Sequence, residues 1–120
     1  MWASMNGYND TVDLLLENKA NINKKDAAGK TALTLATENN RFNTVSLLLD
    51  YKTDINSTDS QGRTALIYAS MKGYTKIVKL LIKNNADLDI KDNEKKNAKD
   101  WATLNNNTDI QKILNILELE

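Results

Sequence analysis

The hydrophobic residues of segment 59–91 follow a helical spacing that is interrupted once by glycine. Two apolar stripes lie side by side along residues 75–83, with members three and four positions apart, which predicts a helix with a wide apolar face. A shorter apolar segment before Gly73 predicts a first helix over residues 65–71, with Thr64 as its N-cap. Because one partner helix cannot bury so wide a face, this helix pair needs a neighbouring pair beside it.

The same pattern recurs along the chain with a period of 33 residues. Shifting the sequence by this period superposes an aspartate, a turn glycine, a threonine, an alanine and a leucine pair. The superposed positions are Asp26, Asp59 and Asp92; Gly29 and Gly62; Thr31 and Thr64; Ala36, Ala69 and Ala102; Leu47-Leu48 and Leu80-Leu81. A fixed period that contains helix-sized apolar segments predicts stacked repeats. We therefore expect an all-α repeat solenoid of helix-turn-helix units with short extended fingers between them.

The repeated unit resembles that of the ankyrin-repeat family. The family pattern, D-x-x-G-x-T-P-L-H-x-A followed by G-x-x-x-x-V-x-x-L-L and a D-V-N-like finger, corresponds here to DSQGRTALIYA, GYTKIVKLL and ADLD. The resemblance covers nearly the whole chain. It implies a solenoid whose concave groove is lined by the ends of the first helices and by the finger tips, and a function in protein–protein recognition.

The sequence departs from the family pattern at two places in each unit, since it contains neither proline nor histidine. The residues that stand in place of proline are Ala32, Ala65 and Ala98, and those in place of histidine are Thr34, Ile67 and Asp100. Each first helix loses a first turn preset by proline and, as the resemblance implies, a Thr–His hydrogen bond. We expect each unit to be weaker than an idealised one, with stability summed over the units and their interfaces.

The period divides the chain into a single domain of four units. Residues 1–25 form a truncated N-terminal repeat, 26–58 and 59–91 are complete repeats, and 92–120 is a C-terminal capping repeat. Because the first unit begins in the middle of a helix, we expect the chain to be a piece of a longer repeat protein. The last unit has charged residues at apolar positions and carries no finger, so we expect it to end the solenoid.

The turn that opens each unit combines an aspartate with a residue of special backbone geometry. Asp59 and its equivalents recur once per unit, which favours a structural role as acceptors of backbone N–H groups over a role in acid–base chemistry. Gly62 is expected to adopt a positive φ. Lys95 occupies the same place in the last unit, which predicts a different shape for that turn.

Composition argues against several classes of function. Lysine plus arginine equals aspartate plus glutamate, at 16 each, so no basic field would attract nucleic acid. The absence of cysteine leaves no thiolate metal site, and the sequence offers neither a cysteine nucleophile nor a histidine base. No apolar segment approaches the length of a membrane span, and the N-terminal residues do not begin a signal peptide. We therefore expect a cytoplasmic protein that is not an enzyme, uses no cofactor and binds neither nucleic acid nor membrane.

Candidate binding residues lie at two places that the repeat pattern leaves variable. At the end of a first helix, Met71 is apolar where burial is not required, and methionine adapts to irregular partners. At the finger tips, Lys30, Arg63 and Lys96 recur along one line. The predicted partner-binding residues are Lys30, Glu38, Asn39, Gln61, Arg63, Met71 and Lys72.

Each of these places also has a purely structural interpretation. Met71 would equally suit ordinary packing between units. The cationic line would either pair with acidic residues of an extended peptide or remain solvated surface. The alternative to partner recognition is a structural or regulatory spacer within a larger protein, with no ligand of its own.

The truncated N-terminal unit predicts a further contact. Trp2, Val12 and Leu15 lack the preceding unit that would cover them, and exposed apolar patches favour association. We expect weak self-association through this edge, unless Trp2 folds back over Val12.

Overall fold

The computed structural model describes the backbone of residues 22–119 and the side chains of residues 22–115. Six helices and no strand form within this range. The helices are α1 (Ala32–Glu38), α2 (Phe42–Asp50), α3 (Ala65–Lys72), α4 (Thr75–Lys83), α5 (Ala98–Leu104) and α6 (Thr108–Leu119). The predicted all-α repeat fold is confirmed, and the predicted bounds of α4 agree with those observed.

The helices form two layers. The first helices of the units, α1, α3 and α5, pack side by side in one layer, and the second helices, α2, α4 and α6, form the other. Each first helix also packs on its own second helix. The wide apolar face of α4 is thereby covered by its own unit and by its neighbours, as the sequence required.

The core is thin and almost entirely aliphatic. Its largest fully buried side chains are Leu33, Leu48, Leu66, Ile67, Ile77, Leu81, Ile110 and Leu114. Leu81 of α4 has no exposed surface, and the alanines at the period's fixed position, such as Ala69, let neighbouring first helices approach closely. The core therefore runs through the stack as one layer of side chains per helix pair.

Each first helix begins at a side-chain cap, and Thr64 has this role as predicted. Thr31, Thr64 and Asn97 each accept a hydrogen bond from the backbone N–H three residues on, at 3.3, 3.2 and 2.9 Å. Two units replace the missing histidine contact. The hydroxyls of Thr31 and Thr34 lie 3.2 Å apart, and the Asp100 carboxylate accepts the Asn97 N–H at 3.0 Å to complete a capping box.

The recurring aspartates hold the turns between units. Oδ1 of Asp59 accepts the N–H groups of Gln61 and Arg63 at 2.9 and 3.0 Å. Asp26 and Asp92 accept the equivalent pairs of N–H groups in their own turns. The predicted structural role of these carboxylates is confirmed.

The prediction that Lys95 changes the shape of its turn is wrong. φ is +75° at Gly62 and +64° at Lys95, and each residue's N–H donates to the preceding aspartate carbonyl at 2.9 Å. Gly62 differs in its surroundings, because a Cβ there would lie 2.7 Å from Oδ1 of Asn93 and 3.1 Å from its backbone nitrogen. Glycine is required where the next turn stacks closely against this one, and lysine is tolerated where no later turn among the described residues does so.

Stacked turns are joined through their main chains. The N–H of Ser60 donates to the carbonyl of Ala28, and the N–H of Asn93 donates to the carbonyl of Gln61, both at 2.9 Å. Each of these two pairs of turns is therefore joined by one main-chain hydrogen bond, and no sheet forms in the described part of the chain.

Replacing Gly62 with alanine should destabilise the protein by more than replacing Lys95 with glycine stabilises it. Each exchange adds or removes a Cβ at a positive φ, which changes the free energy of unfolding by about 1–2 kcal/mol. Only the Cβ at position 62 would also lie against Asn93. We expect Gly62→Ala to lower the free energy of unfolding by about 2 kcal/mol or more, and Lys95→Gly to raise it by about 1 kcal/mol or less. Urea unfolding measures both, and changes of equal size would show that φ alone governs this position.

Candidate functional site

Five side chains form an alternating row of cations and rings along the first helices and the turns before them. This cation–aromatic row consists of Lys30, Tyr68, Arg63, Trp101 and Lys96. The Lys30 ammonium and the Arg63 guanidinium lie 5.5 and 5.9 Å from the centre of the Tyr68 ring. Arg63 and Lys96 lie 5.2 and 5.1 Å from the Trp101 ring. Each ring thus lies between two cations, at distances where the ring's electrons attract them.

The repeat period explains why these residues meet. Tyr68 and Trp101 occupy the same place in α3 and α5, nine residues after the turn aspartate, and the cations lie four residues after it. Stacking of the units then brings each ring beside the cation of its own unit and that of the preceding unit. Leu35 occupies the ring position in α1, so the row begins at Lys30.

Carboxylates of the turns complete the row. Asp59 accepts a hydrogen bond from the Tyr68 hydroxyl. Oδ2 of Asp92 accepts hydrogen bonds from the Trp101 indole at 2.8 Å and from Nε of Arg63 at 3.2 Å. Because the side chain of Asp92 has no exposed surface, its charge depends on these donors.

Four of the predicted binding residues belong to this network. Nζ of Lys30 lies 2.7 Å from Oε1 of Glu38, and Nη1 of Arg63 donates to Oε1 of Gln61 at 2.7 Å. Nη2 of Arg63 also pairs with Glu94 at 2.6 Å, and the Arg63 side chain is only 13% exposed. The interpretation of this line as solvated surface is wrong for Arg63. Its charge is neutralised within the chain.

Burial and charge both act on the Tyr68 hydroxyl. Burial raises the pKa of Tyr68, and the hydrogen bond to Asp59 and the negative charges of Asp59 and Glu38 raise it further. Tyr68 therefore remains protonated and donates to Asp59 across the physiological pH range.

The pKa of Asp92 shifts the other way. Burial alone would raise it, but the backbone N–H of Lys96, the Trp101 indole and the Arg63 guanidinium all donate to the carboxylate, so the pKa lies below its ordinary value. The pKa of Arg63 is raised, because hydrogen bonds and charge from Asp92 and Tyr68 outweigh its partial burial. At neutral pH these groups carry fixed charges and form no proton-transfer pair.

The other three predicted binding residues lie at the ends of the first helices. Nδ2 of Asn39 donates to the Leu35 carbonyl at 2.7 Å and so closes α1. Met71 is half-buried against the core, and Lys72 is exposed. These three residues therefore lie beside the cation–aromatic row and do not belong to it.

One residue of this face was missed by the sequence analysis. Leu104 ends α5 and is 58% exposed, which is the largest exposure among the large hydrophobic side chains of the described range. It lies one period after Met71, so the period itself was the signal that would have found it. We call Met71 and Leu104 the apolar pair.

The described residues contain neither a metal-binding cluster nor a membrane-spanning helix. No group of three or more carboxylate side chains there is arranged to hold a metal ion. None of the helices in that range has the length and hydrophobicity needed to cross a bilayer. Trp2, Val12 and Leu15, through which self-association is predicted, lie outside the described residues.

Comparison with known protein families gives a match over most of the chain. A family model described as ankyrin repeats, in three copies, matches residues 1–92 and 51–117. In a comparison with curated proteins, no protein matches the chain.

The depressed pKa of Asp92 predicts how stability depends on pH. A carboxylate whose pKa is lower in the folded protein stabilises it above the unfolded pKa, about 3.9. That contribution is lost as the pH falls through the lower, folded value. Asp92→Asn should therefore lower the free energy of unfolding at pH 7 and flatten its decline below about pH 4.

Urea unfolding between pH 2 and 7 checks this prediction, with Asp109→Asn as a control at an exposed aspartate. An Asp92→Asn variant whose stability falls with acid as steeply as that of the unmodified protein would contradict it.

Proposed function

The chain belongs to the ankyrin-repeat family, and on this premise we propose that it recognises a partner protein or peptide through its concave face. Ankyrin repeats are in general protein–protein interaction modules. By the concave face we mean the ends of α1, α3 and α5 together with the tips of the turns that precede these helices.

The observation that carries the proposal is the apolar pair. Single exposed leucines are common on protein surfaces, but Leu104 repeats the position of Met71 on the neighbouring first helix. First helices that pack 8–10 Å apart place both side chains within reach of one apolar side chain of a partner. Complete burial of a leucine contributes about 1.5–3 kcal/mol, which is enough for an anchor residue.

Polar residues surround the apolar pair and would supply specificity. Asn39 and Lys72 end the first helices of the preceding units, and Gln61 lies at a turn tip; all three are exposed. Lys30 and Glu38 are partly exposed, at 24% and 20% of their side chains, and pair with each other. They would contribute a pre-organised polar surface beside the apolar pair.

The ion pairs that Lys30 and Arg63 form within the chain limit the class of partner. Because Arg63 and Lys30 are already neutralised, a strongly acidic peptide would have to displace Glu94 or Glu38 to reach them. The face suits instead an extended segment with one large apolar side chain flanked by hydrogen-bonding groups. The concave face would recognise such a segment mainly by burying its apolar side chain and by fitting its shape.

We place this module among non-catalytic proteins of the cytoplasm that use no cofactor and bind no nucleic acid. The chain offers neither a cysteine nucleophile nor a histidine base, since it contains neither residue. The aspartates of the turns already accept backbone hydrogen bonds.

The test is site-specific photo-crosslinking in an extract of the source cells. A crosslinking residue at position 104 should capture a defined partner, whereas one at Asn43, an exposed site on α2, should not. The variant Met71→Glu should reduce capture of that partner at position 104 by about tenfold or more, as expected for removal of an anchor.

The spacer function predicts the opposite result. If capture at position 104 is no stronger than at position 43, or is unchanged by Met71→Glu while circular dichroism shows an intact fold, the concave face is not a binding surface.

A further inference from the structure

Two charged residues lie at the ends of the first helices in the described part of the chain. The residue pairs at these ends are one period apart, and they are Glu38-Asn39, Met71-Lys72 and Leu104-Asn105. Glu38 forms an ion pair with Lys30. Lys72 is exposed and forms no ion pair with a carboxylate of the described residues. Among the described helix ends, Lys72 is therefore the charge that is left unneutralised.

The end of α3 does not need Lys72 as a cap. A lysine in the last turn of a helix can bind the final carbonyl groups, but the next unit already supplies donors to two of them. The Ser70 carbonyl accepts a hydrogen bond from Nδ2 of Asn107 at 2.8 Å. The Met71 carbonyl accepts one from Nδ2 of Asn105 at 2.9 Å. The ammonium group of Lys72 is therefore available to a partner.

Lys72 lies next to the apolar pair, because it follows Met71 in α3 and belongs to the unit before Leu104. A partner segment that covers the apolar pair therefore approaches the Lys72 ammonium and displaces part of its water. Removing water from a cation is costly unless an opposite charge or a hydrogen-bond acceptor replaces it. Since Lys30 and Arg63 are already neutralised within the chain, Lys72 is the group at this place that requires a counter-charge from the partner.

We propose that the partner segment carries an aspartate or glutamate that pairs with Lys72, close to the large apolar residue that covers the apolar pair. This inference rests on the proposed function and names the chemistry of the partner. Because α3 and α5 pack side by side, Lys72 and Leu104 lie about one helix spacing apart, roughly 8–10 Å. An extended segment covers that distance in about three residues, at roughly 3.3–3.6 Å each. The carboxylate should therefore lie within about three residues of the apolar residue.

The ion pair with Lys72 would fix the register of the segment along the stacked units. The equivalent residues, Asn39 and Asn105, are neutral amides, so a carboxylate distinguishes the helix end of α3 from those of its neighbours. An additional acidic residue would gain less, because the carboxylates of Glu38 and Glu94 already pair with cations of neighbouring units. One acidic residue beside one apolar residue is therefore the pattern that this face favours.

Peptide selection tests the proposal with the complete chain. Random linear peptides displayed on phage are selected on the immobilised protein, and those that no longer bind the Met71→Glu variant are kept. We expect these peptides to share a large apolar residue and an aspartate or glutamate within about three positions of it. Met71-dependent peptides without an enriched acidic residue would overturn this proposal and leave the proposed function standing. A library that yields no Met71-dependent peptide would count against both.

The binding kinetics of one selected peptide show whether its carboxylate acts through Lys72. A charge at the edge of an interface acts mainly on the association rate and on the salt dependence of that rate. The variant Lys72→Gln should slow association by about threefold or more at low salt, with little change in dissociation. The difference should shrink at about 1 M salt, where the Debye length is roughly 3 Å. Equal association rates for Lys72→Gln and the unmodified protein would overturn the proposal.

Exchanging the two charges sharpens the test. The variant Lys72→Glu should bind the acidic peptide about tenfold or more weakly, and should bind a peptide with lysine at the acidic position more tightly than the unmodified protein does. The matched control is Lys79→Glu, which reverses an exposed lysine of α4 in the other helix layer and should leave binding of the acidic peptide within about twofold. With all variants folded by circular dichroism, an equal loss in the control would show a general effect of net charge and overturn the assignment to Lys72.

Discussion

Arg63 lies between two units and bonds to both. Its guanidinium donates to Gln61 in its own unit and to Asp92 and Glu94 in the next, and it lies between the rings of Tyr68 and Trp101. In a solenoid each unit contacts only its neighbours, so stability depends on such interfaces. Loss of this one cation would leave the buried carboxylate of Asp92 with fewer donors, and a buried charge without its partner is strongly destabilising. The thin aliphatic core supplies buried area, and Arg63 supplies several of the directional contacts that orient one unit against the next.

The same network explains why recognition is proposed elsewhere on the face. Charged side chains that are already paired within the chain make the face rigid. Their free energy changes little when a partner approaches. An exposed apolar side chain such as Leu104 gains directly from being covered. A rigid polar surface beside an apolar anchor residue is a suitable arrangement for binding, because pre-organised residues lose less entropy on association.

Much of the fold could be predicted from the sequence because the repeat encodes it locally. The caps Thr31 and Thr64, the bounds of α4 and the turn role of Asp59 each depend on residues within a few positions of one another. The cation–aromatic row could not be predicted in this way, since Lys30 meets Tyr68 only through the sideways stacking of units. Lys95 shows the same limit. Its φ follows from its own turn, but the need for glycine at Gly62 comes from Asn93 of the neighbouring turn. The identity of a partner depends on the partner's surface, which this sequence does not contain.

The most direct test of this account is a double-mutant cycle across the interface between residues 59–91 and 92–120. Free energies of unfolding would be measured for Arg63→Met, Trp101→Leu and the double variant, with Lys72→Met in place of Arg63→Met as the control cycle. If Arg63 couples the two units, the two substitutions should interact by about 0.5–2 kcal/mol, while the control cycle should be additive. Additivity of Arg63→Met and Trp101→Leu within about 0.3 kcal/mol would contradict the central place of this contact.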